Sequence, residues 1–267
     1  MEIQILSDLH LETPRSYDIF EIVPKAPYLA LLGDIGNVGS DQSEFLDWIT
    51  RQLRQFRAVF LVAGNHEAFQ TSWPNAITVL GDFERTIQKD DSLGEFVLLD
   101  RRAYEIPDSD VVILGCSLFS FIPPESENDI SFGLNDFYRT SDWDTTMHNA
   151  AHERDLAWLN EKVAEYDASE AKIVVLSHWS PSVDTRALDP RHINSPISGA
   201  FSTDLSGEAC FKSPQVRLWA FGHTHYNCDF TVDRGDHVGP LRIYTNQRGY
   251  YFSQAPRFDA ERVVQME

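Results

Sequence analysis

The sequence of 267 residues has few cysteines, few basic residues and no long apolar run. No stretch approaches the ~20 consecutive apolar residues of a membrane-spanning helix, so an integral membrane protein of that type is excluded. Cys116, Cys210 and Cys228 are odd in number and show no C-x-x-C spacing. We expect them to be free thiols in a reducing compartment rather than disulfides or thiolate metal ligands.

Basic residues are outnumbered, with 22 Lys and Arg against 41 Asp and Glu and a net charge of −19. Because proteins bind long nucleic acids chiefly through Lys and Arg, this balance predicts no such partner. A small phosphorylated substrate stays compatible with it, since metal ions dominate the local potential of a phosphate site. The N-terminal residues lack a basic segment and an apolar signal region, which together with the free thiols predicts a cytoplasmic protein.

Metal-binding side chains follow five apolar runs of the chain, which are residues 3–6, 28–32, 59–62, 173–176 and 218–221. The segments that follow are Asp8-Leu9-His10, Gly33-Asp34, Gly64-Asn65-His66-Glu67, Ser177-His178 and Gly222-His223-Thr224-His225. Short runs rich in Val, Ile and Leu that stop at polar residues are typical of central strands. Ligands of open α/β sheets bind beyond the strand carboxyl ends, so the pattern predicts a metal site at one rim.

The order of these segments, D-x-H, GD, GNH, H and GHTH, resembles the calcineurin-like metallophosphoesterase superfamily. The resemblance extends from Asp8 to His225 and implies an α/β fold, a four-layer αββα sandwich of two mixed β-sheets flanked by helices. Because no cut between residues 8 and 225 would leave the motifs together, residues 1–267 are expected to form a single domain. The protein serine/threonine phosphatase branch is disfavoured, since Asp34 is followed by Ile35-Gly36-Asn37 without the acidic residue and arginine of that branch.

The resemblance also implies two divalent metal ions. It assigns Asp8, His10, Asp34 and His225 to one ion and Asp34, Asn65, His178 and His223 to the other, with the Asp34 carboxylate bridging. Imidazole and carboxylate ligands without thiolate suit Mn²⁺, Fe, Zn²⁺, Co²⁺ or Ni²⁺, and Mn²⁺ is our first choice. Asp8 and His10 are two residues apart, so on a regular strand both would point to the same face.

Two such ions hold a bridging hydroxide for in-line attack on a phosphoester. In this scheme His66 is the catalytic residue, as general acid or as electrostatic stabiliser of the transition state. Glu67 is expected to orient a histidine.

Four further residues are candidates for substrate binding. Asn135 and His152 either border the pocket or form a turn and pack a helix. Trp179 and Tyr226 follow metal ligands and either stack on a substrate ring or pack under the rim. Residues 120–146 and 181–214 read as irregular segments, which in a compact domain are usually functional or mobile.

The sequence therefore predicts a dinuclear-metal hydrolase of a small-molecule phosphoester, with phosphodiesters favoured. A phosphomonoesterase on a small substrate remains an alternative. A non-catalytic protein-binding scaffold with the same fold is the rival from another class, and the full set of expected ligands argues against it. The oligomeric state is left open.

Overall fold

The computed structural model describes residues 1–167, 169–193, 195–235 and 238–266. Within these ranges the strands are Glu2–Leu6 (β1), Tyr28–Leu32 (β2), Ala58–Val62 (β3), Glu95–Leu98 (β4), Arg102–Glu105 (β5), Val111–Gly115 (β6), Lys172–Leu176 (β7), Val216–Ala220 (β8), Asp229–Val232 (β9), Leu241–Tyr244 (β10), Gly249–Tyr250 (β11), Ser253–Gln254 (β12) and Val263–Gln265 (β13). The α-helices are Gln42–Leu53 (α1), Trp73–Ile87 (α2), Glu127–Gly133 (α3), Asp136–Arg139 (α4), Thr145–Glu165 (α5) and Ala209–Lys212 (α6).

Two mixed sheets form the centre of the fold. The first has the order β13-β1-β2-β3-β4 and the second β5-β6-β7-β8-β10-β9, while β11 and β12 pair separately. The inner strands are parallel, and the antiparallel strands β13, β5 and β9 lie at sheet edges. Every side chain of β2, β3 and β6 is buried, which explains why these strands read as continuous apolar runs.

The sheets pack face to face, and helices cover their outer faces. Ile5 and Leu32 of the first sheet share a buried cluster with Leu218 of the second. On the outside, α1 and α2 pack on the first sheet, and α5 and α6 pack on the second. This arrangement confirms the expected αββα sandwich.

Local sequence signals specify where α2 begins, but they do not specify the strand β13. Local signals mark the start of α2: Ser72 caps it by accepting a hydrogen bond from the Asn75 backbone N–H, and Pro74 lies in the first turn. The sequence indicates no strand near the C-terminus, but β13 forms there because the edge of β1 offers unpaired backbone groups. Among the described helices, none combines the length and apolar composition needed to cross a lipid bilayer.

Candidate metal centre

The polar segments predicted to form a site come together at the carboxyl ends of β1, β2, β3, β7 and β8. The first three strands are parallel neighbours in one sheet, and the last two are parallel neighbours in the other. Residues from both sheets meet there, so the site lies where the two layers share a rim. Its side chains form three groups that could hold a metal ion; two of them match the expected ligand sets, and the third consists of His10, Glu12 and His66.

The first cluster consists of Asp8, His10 and His225. The Nε2 atoms of His10 and His225 are 3.0 Å apart, and the His225 Nε2 lies 3.3 Å from Oδ1 of Asp8. Atoms that each bind one ion at ~2.1 Å are separated by about 3.0–3.4 Å at ordinary coordination angles. The spacing therefore fits three ligands of a single ion.

The second cluster consists of Asp34, His178 and His223, and Asn65 adjoins it. The Nε2 of His178 lies 3.2 Å from the Asn65 amide oxygen. The Nδ1 of His178 donates to the Leu32 carbonyl at 2.6 Å, which leaves the Nε2 lone pair free for a metal. The Nε2 of His223 is buried and has no hydrogen-bond partner among the described residues, as expected for an atom that binds an ion.

Asp34 lies between the clusters. Its Oδ1 is 3.5 Å from Nε2 of His178, and its Oδ2 is 4.0 Å from Nε2 of His10. One carboxylate thus faces both groups of ligands, as a bridging ligand must.

Burial holds three of the proposed ligand imidazoles neutral, those of His10, His178 and His223. Burial lowers the pKa of His10 to about 4, with the charge of His66 as a further cause. Burial likewise lowers the pKa of His178 to about 4 and that of His223 well below its usual value. A neutral imidazole keeps the lone pair that a metal requires, so this donor set fits two divalent ions.

The backbone at the strand ends differs from the expected strand geometry. Asp8 and His10 point together, but β1 already ends at Leu6 and both residues have positive φ, 54° and 46°. The alternation of strand side chains therefore does not explain their convergence, and left-handed turns do. Close backbone approach contributes too, since a Cβ on Gly33 would lie 2.4 Å from Nδ1 of His178.

His66 is oriented by residues outside the expected ligand set. Its Nδ1 lies 2.7 Å from Oε1 of Glu12, and its Nε2 lies 3.3 Å from the Tyr250 hydroxyl and 3.9 Å from Oδ2 of Asp34. Burial raises the pKa of Glu12, but hydrogen bonds with His10 and His66 outweigh it and leave this pKa well below its usual range. The ionised Glu12 accepts the Nδ1 proton of His66 and directs Nε2 toward the centre.

The role expected for Glu67 is wrong. Its fully buried carboxylate accepts backbone hydrogen bonds from Asp34 at 2.9 Å, Ile35 at 2.8 Å and Gly64 at 2.7 Å. Glu67 thereby ties the loop after β2 to the loop after β3 and orients no imidazole.

The four substrate-binding candidates separate into one residue at the site and three elsewhere. Asn135 lines a cavity beside the metal centre. His152 is buried, with Nδ1 3.1 Å from the Leu118 carbonyl, because α5 packs this face inward. Trp179 is buried beneath the centre and donates to the Ala200 carbonyl. Tyr226 packs against the outer core of the second sheet, so the packing alternative holds for these three.

Three residues at the site escaped sequence reasoning. Glu12 had only a positional signal, as a carboxylate two residues after His10 in the same loop. Asp136 accepts a hydrogen bond from the Asn65 amide at 3.0 Å, and burial raises its pKa to about 6. Tyr250 stacks on the His10 ring at 4.2 Å and comes from β11, where no sequence pattern marks it.

Comparisons with known proteins identify the family and the fold. A family model described as calcineurin-like phosphoesterase matches residues 1–227. An uncharacterised protein of Acanthamoeba polyphaga mimivirus is 28% identical over 270 residues, covering 93% of this chain and 91% of that protein. The fold is similar to phosphopantetheinyl hydrolase of Mycobacterium tuberculosis, with TM-score 0.63, 16% identity and coverage of 93% of this chain and 89% of the other. A dimetal phosphatase of Danio rerio gives TM-score 0.51 and 17% identity over 94% of this chain and 88% of its own.

Proposed function

Because this chain belongs to the calcineurin-like phosphoesterase family, we propose that it is a dinuclear-metal hydrolase of small-molecule phosphoesters that prefers phosphodiesters. The observation that carries the proposal is the position of Asp34 between two ligand clusters. The scaffold alternative requires an eroded site. Here the expected ligands converge instead.

The metal assignments follow the two clusters. Asp8, His10, Asp34 and His225 would hold one ion, and Asp34, Asn65, His178 and His223 the other. Ions bound there supply Lewis-acid chemistry, which polarises phosphoryl oxygens and makes water acidic at neutral pH. Mn²⁺ remains our first choice, ahead of Fe, Zn²⁺, Co²⁺ and Ni²⁺.

His66 is the residue placed to assist the leaving group. Glu12 fixes the Nδ1 proton, so in the protonated imidazole it is Nε2–H that faces the centre. From there Nε2 donates a proton to the departing oxygen, or a hydrogen bond as charge develops on it. Burial, and next the charge of Asp34, raise the pKa of Tyr250, so its hydroxyl stays neutral beside Nε2.

Charge supports a diester over a monoester. The described residues that line the cavity beside the centre include no Lys or Arg. A phosphodiester carries one negative charge, whereas a monoester dianion carries two, so a lining without Lys or Arg favours the diester. The three buried, free cysteines support a cytoplasmic location as part of the same proposal.

Hydrolysis of bis-p-nitrophenyl phosphate and p-nitrophenyl phosphate by the Mn²⁺-reconstituted protein tests this function. We expect faster release of nitrophenol from the diester and loss of it in Asp34→Asn. The variant His66→Gln should retain its bound metal but lose at least about a hundredfold in kcat.

Faster turnover of the monoester would make the protein a phosphatase. Absence of both bound metal and turnover would favour the scaffold. Unchanged turnover in His66→Gln would remove the catalytic role of His66.

A further inference from the structure

A cavity of about 340 Å³ opens beside the metal centre, and it is large enough for more than a phosphoryl group. Part of its lining comes from the two irregular segments of the sequence, through residues 133–136, 188–189, 192, 195, 197–198 and 201–202. These segments therefore determine what accompanies the phosphate into the site.

Part of the lining contributed by these segments is apolar. Leu134, Leu188, Ile197 and Phe201 line it, and the Phe201 ring stacks on His223 at 4.9 Å. Phe69 lines the opposite side and lies against the His66 ring at 4.3 Å. A group between these surfaces gains apolar contact along its length.

The charges near the cavity disfavour a second anion. Asp136 and Asp189 contribute carboxyl groups to the lining and His192 contributes an imidazole, whereas the described lining residues supply no Lys or Arg. Arg191 is bound to Asp189 at 2.6 Å with its side chain 77% exposed. Arg139 lies over Phe69 and is exposed to solvent, and neither arginine lines the cavity.

We propose that the cavity binds the organic group of the phosphoester and that this group is uncharged and largely apolar. A carboxylate or second phosphate placed there would lose hydration and would find no Lys or Arg among the described lining residues to compensate it. This inference rests on the proposed function and narrows its substrate class. Nucleoside polyphosphates and bisphosphorylated metabolites fall outside it.

The test compares two p-nitrophenyl phosphodiesters of equal size in the Mn²⁺-reconstituted protein. Their second ester groups are 4-carbamoylphenethyl and 4-carboxyphenethyl, which differ in charge but hardly in shape. We expect kcat/KM for the carboxylate to be lower by about tenfold or more. The parent phenethyl ester should be hydrolysed at least as well as the carboxamide.

Leu188→Lys provides the reciprocal test, with Leu188→Gln as its matched uncharged control. In Leu188→Lys the ratio of kcat/KM for the carboxylate ester to that for the carboxamide ester should rise toward or above one. In Leu188→Gln this ratio should stay as in the wild type. Circular dichroism and metal content identify folded variants, and the wild-type comparison decides the question if neither variant folds.

Equal or faster hydrolysis of the carboxylate by the wild-type protein would overturn the inference and leave the hydrolase function standing. Failure to hydrolyse any of the three esters with two ions bound would overturn the hydrolase function, and the inference with it.

Discussion

Five of the seven proposed metal ligands hold a backbone conformation that side-chain-bearing residues rarely adopt. Their φ angles are 54° at Asp8, 46° at His10, 53° at Asp34, 67° at His223 and 48° at His225. Each such residue costs on the order of 1 kcal/mol, less for Asp and His than for bulkier types. A fold that holds them there has placed the ligand atoms before any ion arrives.

Glu12 should matter for turnover more than for metal binding. Glu12→Gln keeps the size of the side chain but removes the charge that accepts the His66 Nδ1 proton. We expect kcat to fall about 10–100-fold with metal content unchanged. Kinetics and elemental analysis on the same preparation measure both quantities.

Glu12→Asp serves as the control, because it keeps the charge and should recover part of the loss. If Glu12→Gln binds less metal but keeps its turnover per bound metal, then Glu12 acts through His10 and not through His66.

His148 should make the fold sensitive to acid. Burial lowers its pKa from 6.5 to about 3, and the charge of His152 is a further cause. The unfolded chain therefore binds a proton first as the pH falls, so the free energy of unfolding decreases from about pH 6.5 down to about pH 3. Between pH 7 and 5.5 this one group accounts for about 1 kcal/mol.

Urea unfolding of the metal-free wild type and His148→Gln at these two pH values isolates the effect. The glutamine oxygen can still accept the Ser120 backbone N–H that His148 Nε2 accepts at 3.3 Å. Equal losses of stability in both proteins would contradict the assignment.

At the scale of elements, the decisive parts are the turns that follow the strands. The loops after β2 and β3 approach so closely that Gly33 and Gly64 have no room for a side chain. Glu67 holds the same two loops through their backbone amides. Asp34 and Asn65 are thus positioned by packing between loops and not by either strand alone.

Gly33→Ala should disrupt the site. Gly33 has φ of +84°, and its new Cβ would lie 2.4 Å from His178 Nδ1 and 2.6 Å from the Gly64 nitrogen. We expect a loss of stability of more than about 2 kcal/mol together with weaker metal binding. Thermal unfolding and metal titration measure these effects.

Gly81→Ala is the matched control within α2, where the closest atom to a new Cβ is 3.6 Å away. It should stabilise the protein by about 0.5–1 kcal/mol. Wild-type metal affinity in Gly33→Ala would contradict the close-approach argument.

For the whole molecule, the αββα arrangement brings residues far apart in sequence to one rim, such as Asp8 and His225. The chain as a whole carries a net charge of −19. A single-domain organisation over residues 1–267 stays a prediction, as does the absence of a long nucleic-acid partner.

The charge leads to a prediction for polymers. In fluorescence anisotropy at about 0.15 M salt, a labelled 20-base-pair duplex should not bind at protein concentrations up to about 10 μM. A salt-dependent rise in anisotropy below that concentration would contradict the prediction and would indicate a nucleic-acid partner.

The central strands followed from the linear pattern, and the metal ligands that the same pattern proposes stay a prediction. Five apolar runs each ended at Asp, His or Asn, and parallel strands necessarily bring their carboxyl ends to one edge. The start of α2 also depends on neighbouring residues in the sequence, since Ser72 and Pro74 specify where a helix begins.

The surroundings of the site residues depend on contacts that form only in the folded chain. His152 and Trp179 became buried because α5 and the loop after β7 pack inward, and Tyr250 reached the His10 ring from a hairpin near the C-terminus. Glu67 bonded backbone amides, a target that no side-chain pattern encodes. Ligand types follow from local chemistry, whereas the surroundings of each ligand depend on contacts between residues distant in sequence, which a linear pattern does not specify.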